Sequence, residues 1–170
     1  DIIRNGNSLS PAVILDKFDE MVNKTLATEK NDSQIKDGMD IALCKINVKT
    51  RKLEYAGAHR PLYHISKGEL HEYKGDKWAI GGGVYKNQTK FTNYEVNLKK
   101  DDSVYIFSDG LPDQFGGPNV RKFGPQRIKE VVMSQNQNME LTYNAMKTEF
   151  HNWMGAQKQT DDVLLIGIKF

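Results

Sequence analysis

The strongest constraint on this chain is a change of hydrophobic period near residue 39. Before it, Ile14, Phe18, Met21, Val22 and Leu26 recur at helical spacing. Ser10-Pro11 precedes them, a hydroxyl N-cap and then proline at the first helical position. This helix should end by Thr28, and 29–37 is polar and loop-like. Beyond it the apolar residues fall into strand-length runs at 39–48, 53–58, 61–66 and 69–73. The turns between them, Lys49-Thr50-Arg51-Lys52 and Lys67-Gly68, are too short for a crossover, so the strands pair antiparallel.

The pattern alternates once more. Gly81-Gly82-Gly83 breaks the chain, 92–98 alternates as a strand, and 99–102 is a charged turn. Val104, Ile106 and Phe107 mark a buried strand that ends at Ser108-Asp109-Gly110. A glycine-rich loop covers 113–124. Helices follow at 126–135, with Ile128, Val131 and Val132 on one side, and at 139–153, with Leu141, Met146, Phe150 and Trp153 inward. The last strand is 163–170 and must return beside non-sequential neighbours. Helix, antiparallel strands, two helices and a strand is the order of an α+β fold.

A length of 170 residues suits one domain, residues 1–170, with its own core. Charged residues at 27% and hydrophobic ones at 38% fit a soluble globular chain. A net charge of +2 without a dense basic stripe argues against a nucleic-acid partner. The densest basic stretch, Arg121, Lys122 and Arg127, reads as a solvated face. Cys44 is the only cysteine, so no intrachain disulfide forms, and a cytoplasmic location fits. Mid-strand, Cys44 reads as a small buried hydrophobe, not a nucleophile. No apolar run approaches the roughly 20 residues of a bilayer span. The first residue is Asp1, so an upstream segment is expected, and that segment is free to carry a membrane anchor.

The chemistry rests on separated carboxylates. Asp109 follows a buried strand, where rigid backbone presents side chains to a cleft. Asp161 and Asp162 precede the final strand, and adjacent strand residues point to opposite faces, so one of the pair faces a given ion. Carboxylates at strand ends suit a hard cation such as Mg2+ or Mn2+. No His or Cys stands at zinc-type spacing.

Five segments occur in a telling order: Asp37-Gly38-Met39-Asp40-Ile41-Ala42-Leu43, Tyr55-Ala56-Gly57-Ala58-His59-Arg60-Pro61-Leu62, Tyr105-Ile106-Phe107-Ser108-Asp109-Gly110, Asp113-Gln114-Phe115-Gly116-Gly117 and Thr160-Asp161-Asp162-Val163-Leu164. Together, from about Ser10 to Phe170, they resemble the SpoIIE/RsbU-type serine phosphatase domain, a bacterial branch of the metal-dependent PPM (protein phosphatase 2C-like) family. The resemblance implies an α-β-β-α sandwich of two antiparallel sheets flanked by helices. It implies two Mn2+ or Mg2+ ions and hydrolysis of phosphoserine or phosphothreonine on a protein, with Asp109 and Asp161 as metal ligands and Asp162 outside the ligand set. By resemblance the substrate is a phosphorylated regulator of the anti-anti-sigma type, and a sensor or dimerising segment lies upstream, with a homodimer as one outcome.

The chain departs from the family pattern at its start. The Asp-Gly-His-Gly-like segment that supplies the bridging aspartate belongs before the helix, and nothing like it stands between Asp1 and Ser10. Asp37-Gly38-Met39-Asp40 lies after the helix and does not replace it, although Asp40 aligns beside the site. Weak metal binding and slow or no turnover by this chain alone are therefore expected. In the loop at His59-Arg60, Ala56 replaces the family's asparagine, and Arg60 is the candidate phosphate contact through bidentate pairing. Gly81 to Gly83 lacks the Lys-Ser/Thr of a phosphate cradle. The competing reading is a catalytically dead relative that binds a phosphoprotein partner or relays a signal.

Overall fold

The computed structural model describes residues 9–28, 38–82, 90–135 and 138–170. The expected loop at 29–37, with Asp37 of the first segment, and Gly83 lie outside the described residues. The chain forms two compact units, Asp1–Leu62 with Tyr73–Leu98, and Tyr63–Glu72 with Lys99–Phe170.

The first unit is built on helix α1 (Pro11–Thr28) and strands β1 (Ile41–Asn47), β2 (Lys52–Ala58) and β5 (Tyr94–Asn97). The helix starts at Pro11, as its sequence requires. Its buried stripe differs from the expected one: Ala12 and Leu15 are 5% and 1% exposed, while Met21 is 53% exposed. Met21 lies about 120° around the helix from Leu15, whereas Phe18 and Val22 return to its face. Two aspartates then tie the helix down. Asp19 Oδ1 accepts from Gly81 N at 2.8 Å, and Asp16 Oδ1 accepts from Phe91 N at 2.9 Å. The sheet order is β1-β2-β5, all antiparallel, with Ile41 opposite Ala58 and Lys52 opposite Asn97. Central β2 contributes the fully buried Leu53, Tyr55, Ala56 and Ala58.

The second unit holds strands β3 (Leu62–Ser66), β4 (Glu69–Tyr73), β6 (Ser103–Phe107) and β9 (Leu165–Lys169), in the order β4-β3-β6-β9. Lys67 and Gly68, at φ 51° and 80°, make the two-residue turn of the β3–β4 hairpin. The final strand does return beside a non-sequential neighbour: β9 pairs antiparallel with β6, Phe107 opposite Leu165 and Ser103 opposite Lys169. Between them run the short helix α2 (Gly110–Asp113), the two-residue strands β7 (Phe115–Gly116) and β8 (Arg121–Lys122), and helices α3 (Gly124–Ser134) and α4 (Met139–Met154). The glycine-rich loop is thus a helical turn and a hairpin. Gly116 and Gly117 leave room for the Trp153 backbone and ring.

The core of this unit gathers Tyr63, Tyr105 and Phe107 from the sheet with Phe123, Ile128, Val132, Met146 and Phe150 from the helical half. Asn138 caps α4, its side chain accepting from Glu140 N and Leu141 N at 2.9 and 3.1 Å. Leu141, expected inward, is 53% exposed, because the buried stripe runs through Thr142, Met146 and Phe150 at four-residue steps. His64 Nε2 and Asp102 Oδ2 form a buried pair at 2.8 Å. Among the described residues no helix is long and apolar enough to cross a membrane.

Candidate metal centre

Asp109 and Asp161 lie in the same unit, at the same end of paired strands. The β6–β9 register ends at Phe107 opposite Leu165, so the chain leaving β6 and the chain entering β9 run side by side. Ser108 continues the pairing by other means. Its N–H donates to Leu164 O at 3.0 Å, and its Oγ both donates to Asp162 O at 2.8 Å and accepts from Leu164 N at 2.9 Å. One hydroxyl thus fastens the turn carrying Asp109 to the turn carrying Asp161.

Gly110 completes the contact. A Cβ there would stand 2.9 Å from Asp162 C and 3.3 Å from Asp161 C, and closer still to Asp162 O. The glycine is required by crowding, not by a left-handed backbone, since its φ is not positive. The sequence presents Gly110 as a turn residue, but its role is to admit the Asp161–Asp162 backbone. Ser108 is the residue of this candidate site that sequence reasoning missed, although its place between the strand and Asp109 was visible.

The carboxylates themselves differ in commitment. Asp109 opens α2, its carbonyl accepting from Asp113 N at 2.9 Å, but its side chain makes no capping hydrogen bond. Asp161 Oδ1 accepts from its neighbour Asp162 N at 2.6 Å, and its carbonyl accepts from Gln159 Nε2 at 2.8 Å. Asp161 and Asp162 are exposed and Asp109 is half-buried. Two hard oxygen ligands on adjoining turns suit a Mg2+ or Mn2+ ion. Among the described residues, however, no group of three or more His, Cys, Asp or Glu side chains is placed to hold an ion. The described residues therefore supply two carboxylates of suitable chemistry on adjoining turns and do not by themselves make a complete ion site.

Arg60 belongs to the first unit and is not a free surface arginine. Its Nη2 pairs with Asp40 Oδ2 at 2.9 Å, both side chains being mostly buried, while Nε is buried without a partner among the described residues. The loop that carries it is tightly built. Tyr55 Oη donates to Arg60 O, and His59, at φ 58°, donates its N–H to Asp76 O at 2.8 Å. Asp76 in turn accepts from Thr92 N and Oγ1 at 2.7 and 3.0 Å. Asp40 is thus the partner that orients Arg60. Cys44 is partly buried, and burial pushes its thiol up to about 11, which fits a packing residue.

The fold is PP2C-like, shared with solved phosphatase domains. The SiaA-PP2C domain of Pseudomonas aeruginosa superimposes with a TM-score of 0.82 at 29% identity, over 99% of this chain and 64% of that one. The phosphatase domain of SpoIIE from Bacillus subtilis, presoaked with Mn, gives 0.59 at 11% identity, over 96% and 68% of the two chains. RsbX in complex with magnesium gives 0.63 at 18% identity, over 98% and 68%. This chain therefore spans less than two thirds of the SiaA-PP2C chain. No curated protein sequence matches it. The Stage II sporulation protein E (SpoIIE) family model matches residues 3–170, and the chain belongs to that family of serine/threonine phosphatase domains.

Proposed function

We propose that this chain carries part of the catalytic centre of a bacterial signalling phosphatase, which removes phosphate from phosphoserine or phosphothreonine on a regulatory protein. The observation that carries the reading is the fastening of the Asp109 turn to the Asp161 turn by Ser108 and Gly110, with the Asp109 carboxylate left without a hydrogen bond among the described residues. A strand end held this firmly presents its carboxylate with little reorganisation on ligand binding. Asp109 and Asp161 are the metal ligands in this reading, and Asp162 stands outside the set.

Bound divalent cations supply a water of lowered pKa and neutralise the phosphoryl oxygens during in-line displacement. The chain's own residues position that chemistry. Asp109 and Asp161 offer hard anionic oxygens, Ser108 fixes their spacing, and Gly110 lets the turns close. Arg60 remains the proposed phosphate contact on its own chemistry: a guanidinium oriented by Asp40 keeps N–H groups for an anion. The substrate by this reading is a phosphorylated anti-anti-sigma-like regulator. The described residues offer a cation two carboxylates, which hold it weakly, so by this reading the chain alone is weakly active or inactive.

The lack of a third ligand among the described residues favours one competing reading, a phosphatase-like module that binds a phosphoprotein or relays a signal without catalysis. Phosphate release from a phosphoserine peptide separates the two. The proposal expects Mn2+- or Mg2+-dependent release by the full-length protein, abolished by Asp109→Asn. No release with either metal, or full release in chelator, rejects it.

A further inference from the structure

Beside the two aspartates the second unit carries a groove that the proposed chemistry does not use. It has a volume of about 420 Å3 and lies between α4 and the segment leading into β9. Its floor is Leu111, Met146 and Phe150, all buried core residues. Its rim is apolar and open: Tyr143 is 60% exposed, Leu164 56% and Val163 36%. The groove adjoins the candidate centre through the chain itself. Leu111 is two residues past Asp109, and Gln159 and Val163 stand two residues to either side of Asp161.

The charge of the lining is one-sided. Among the lining residues Lys147 carries the formal charge, His151 stands one helical turn further along α4, and no carboxylate lines the groove. Glu149 on the same helix is engaged by Arg127 at 3.3 Å, and Arg127 does not line the groove. The carboxylates at the open end, Asp161 and Asp162, are the candidate ligand and its neighbour. The volume lies at the small end of the roughly 300–1,000 Å3 typical of ligand pockets, suited to a few side chains and not to a folded domain. A second copy of the chain is a poor occupant. A two-fold contact sets the same patch on both sides, so the lining would meet itself, Lys147 beside Lys147 and no lining carboxylate between them.

We infer that this groove docks the segment flanking the phosphorylated residue of the protein substrate, and that it selects apolar and acidic side chains there. The inference deepens the phosphatase reading and rests on it for the identity of the ligand. Apolar flanking residues lie against Tyr143, Val163 and Leu164, and an acidic one meets Lys147. Specificity then comes from a groove beside the metal site, while the phosphate itself is left to the metal centre.

The test uses the full-length protein and two fluorescein-labelled phosphoserine peptides. One carries leucine and glutamate beside the phosphoserine; the other carries glycine and lysine at the same positions. Anisotropy titrations in chelator read docking without turnover, and phosphate release with Mn2+ reads catalysis. The leucine–glutamate peptide should bind about ten-fold more tightly. Lys147→Glu and, separately, Tyr143→Ala should each cut that preference to under about three-fold; both sites are exposed, so the fold is spared. Equal binding of the two peptides, or a preference unchanged in both variants, overturns the docking groove whatever the release assay shows. Selective binding without phosphate release keeps the groove and defeats the phosphatase reading instead.

Discussion

Gly110→Ala separates the account from an ordinary turn. The added methyl would meet Asp162 C at 2.9 Å and Asp161 C at 3.3 Å. Non-bonded carbon pairs prefer about 3.5–4.0 Å, so the two turns must part by about 0.6–1 Å. Overpacking of this kind costs about 1–3 kcal/mol. If the shift also breaks the bonds of Ser108 Oγ, each is worth about 1 kcal/mol more. With both bonds lost the total is about 3–5 kcal/mol, which corresponds to a Tm loss of about 6–20 °C for a chain of this size. The same separation should weaken Mn2+ binding at least about ten-fold, equivalent to about 1.4 kcal/mol. Calorimetry gives both numbers. Gly68→Ala is the comparator: it sits in open space at φ 80°, so it strains the backbone without touching either aspartate. It should lower Tm modestly and leave Mn2+ binding unchanged. An unchanged Tm and unchanged Mn2+ affinity in Gly110→Ala would refute the reasoning.

Other consequences follow from single residues. Burial raises the Asp102 carboxyl, but hydrogen bonds from Lys99 N, His64 and Ser66 outweigh it and hold the group below its ordinary 3.8. Its contribution is therefore full above about pH 4 and lost as pH falls through the lowered value, so Asp102→Asn should flatten the acid limb of an unfolding-versus-pH curve measured by circular dichroism. Cys44, pushed up to about 11, should react slowly with a disulfide reagent at pH 8 in the native chain and rapidly in denaturant. Ile128 is fully buried between α3 and the sheet, so Ile128→Ala should cost about 2–5 kcal/mol in urea unfolding without altering Mn2+ binding.

Periodicity made the elements legible, because helix and strand impose different spacings on the same apolar alphabet. The Ser10-Pro11 start, the Lys67-Gly68 hairpin and the strand ending at Ser108 were all readable on that ground. Facing was harder. Met21 and Leu141 fit a loose helical spacing yet lie off the buried stripe, Met21 by about 120° from Leu15 and Leu141 by about 140° from Met146, because apolar spacing leaves a wide arc and only neighbours decide which part of it is covered. The hairpin at 115–122 was hidden because two-residue strands have no period. At the site, Asp109 and Asp161 are ordinary turn acids alone, and their significance came from the ordered resemblance. What the sequence could not carry was contact: Ser108 and Gly110 matter through a chain segment more than 50 positions away.

The central claim is that Asp109 and Asp161 together form part of a divalent-cation site. The most direct measurement is site-resolved paramagnetic broadening of amide resonances during a Mn2+ titration of the chain. The account predicts weak binding, with broadening centred on the turns at Asp109 and Asp161, and its loss from both turns in Asp109→Asn and in Asp161→Asn alike. Broadening centred elsewhere, or tight binding of two ions that survives either substitution, would contradict it.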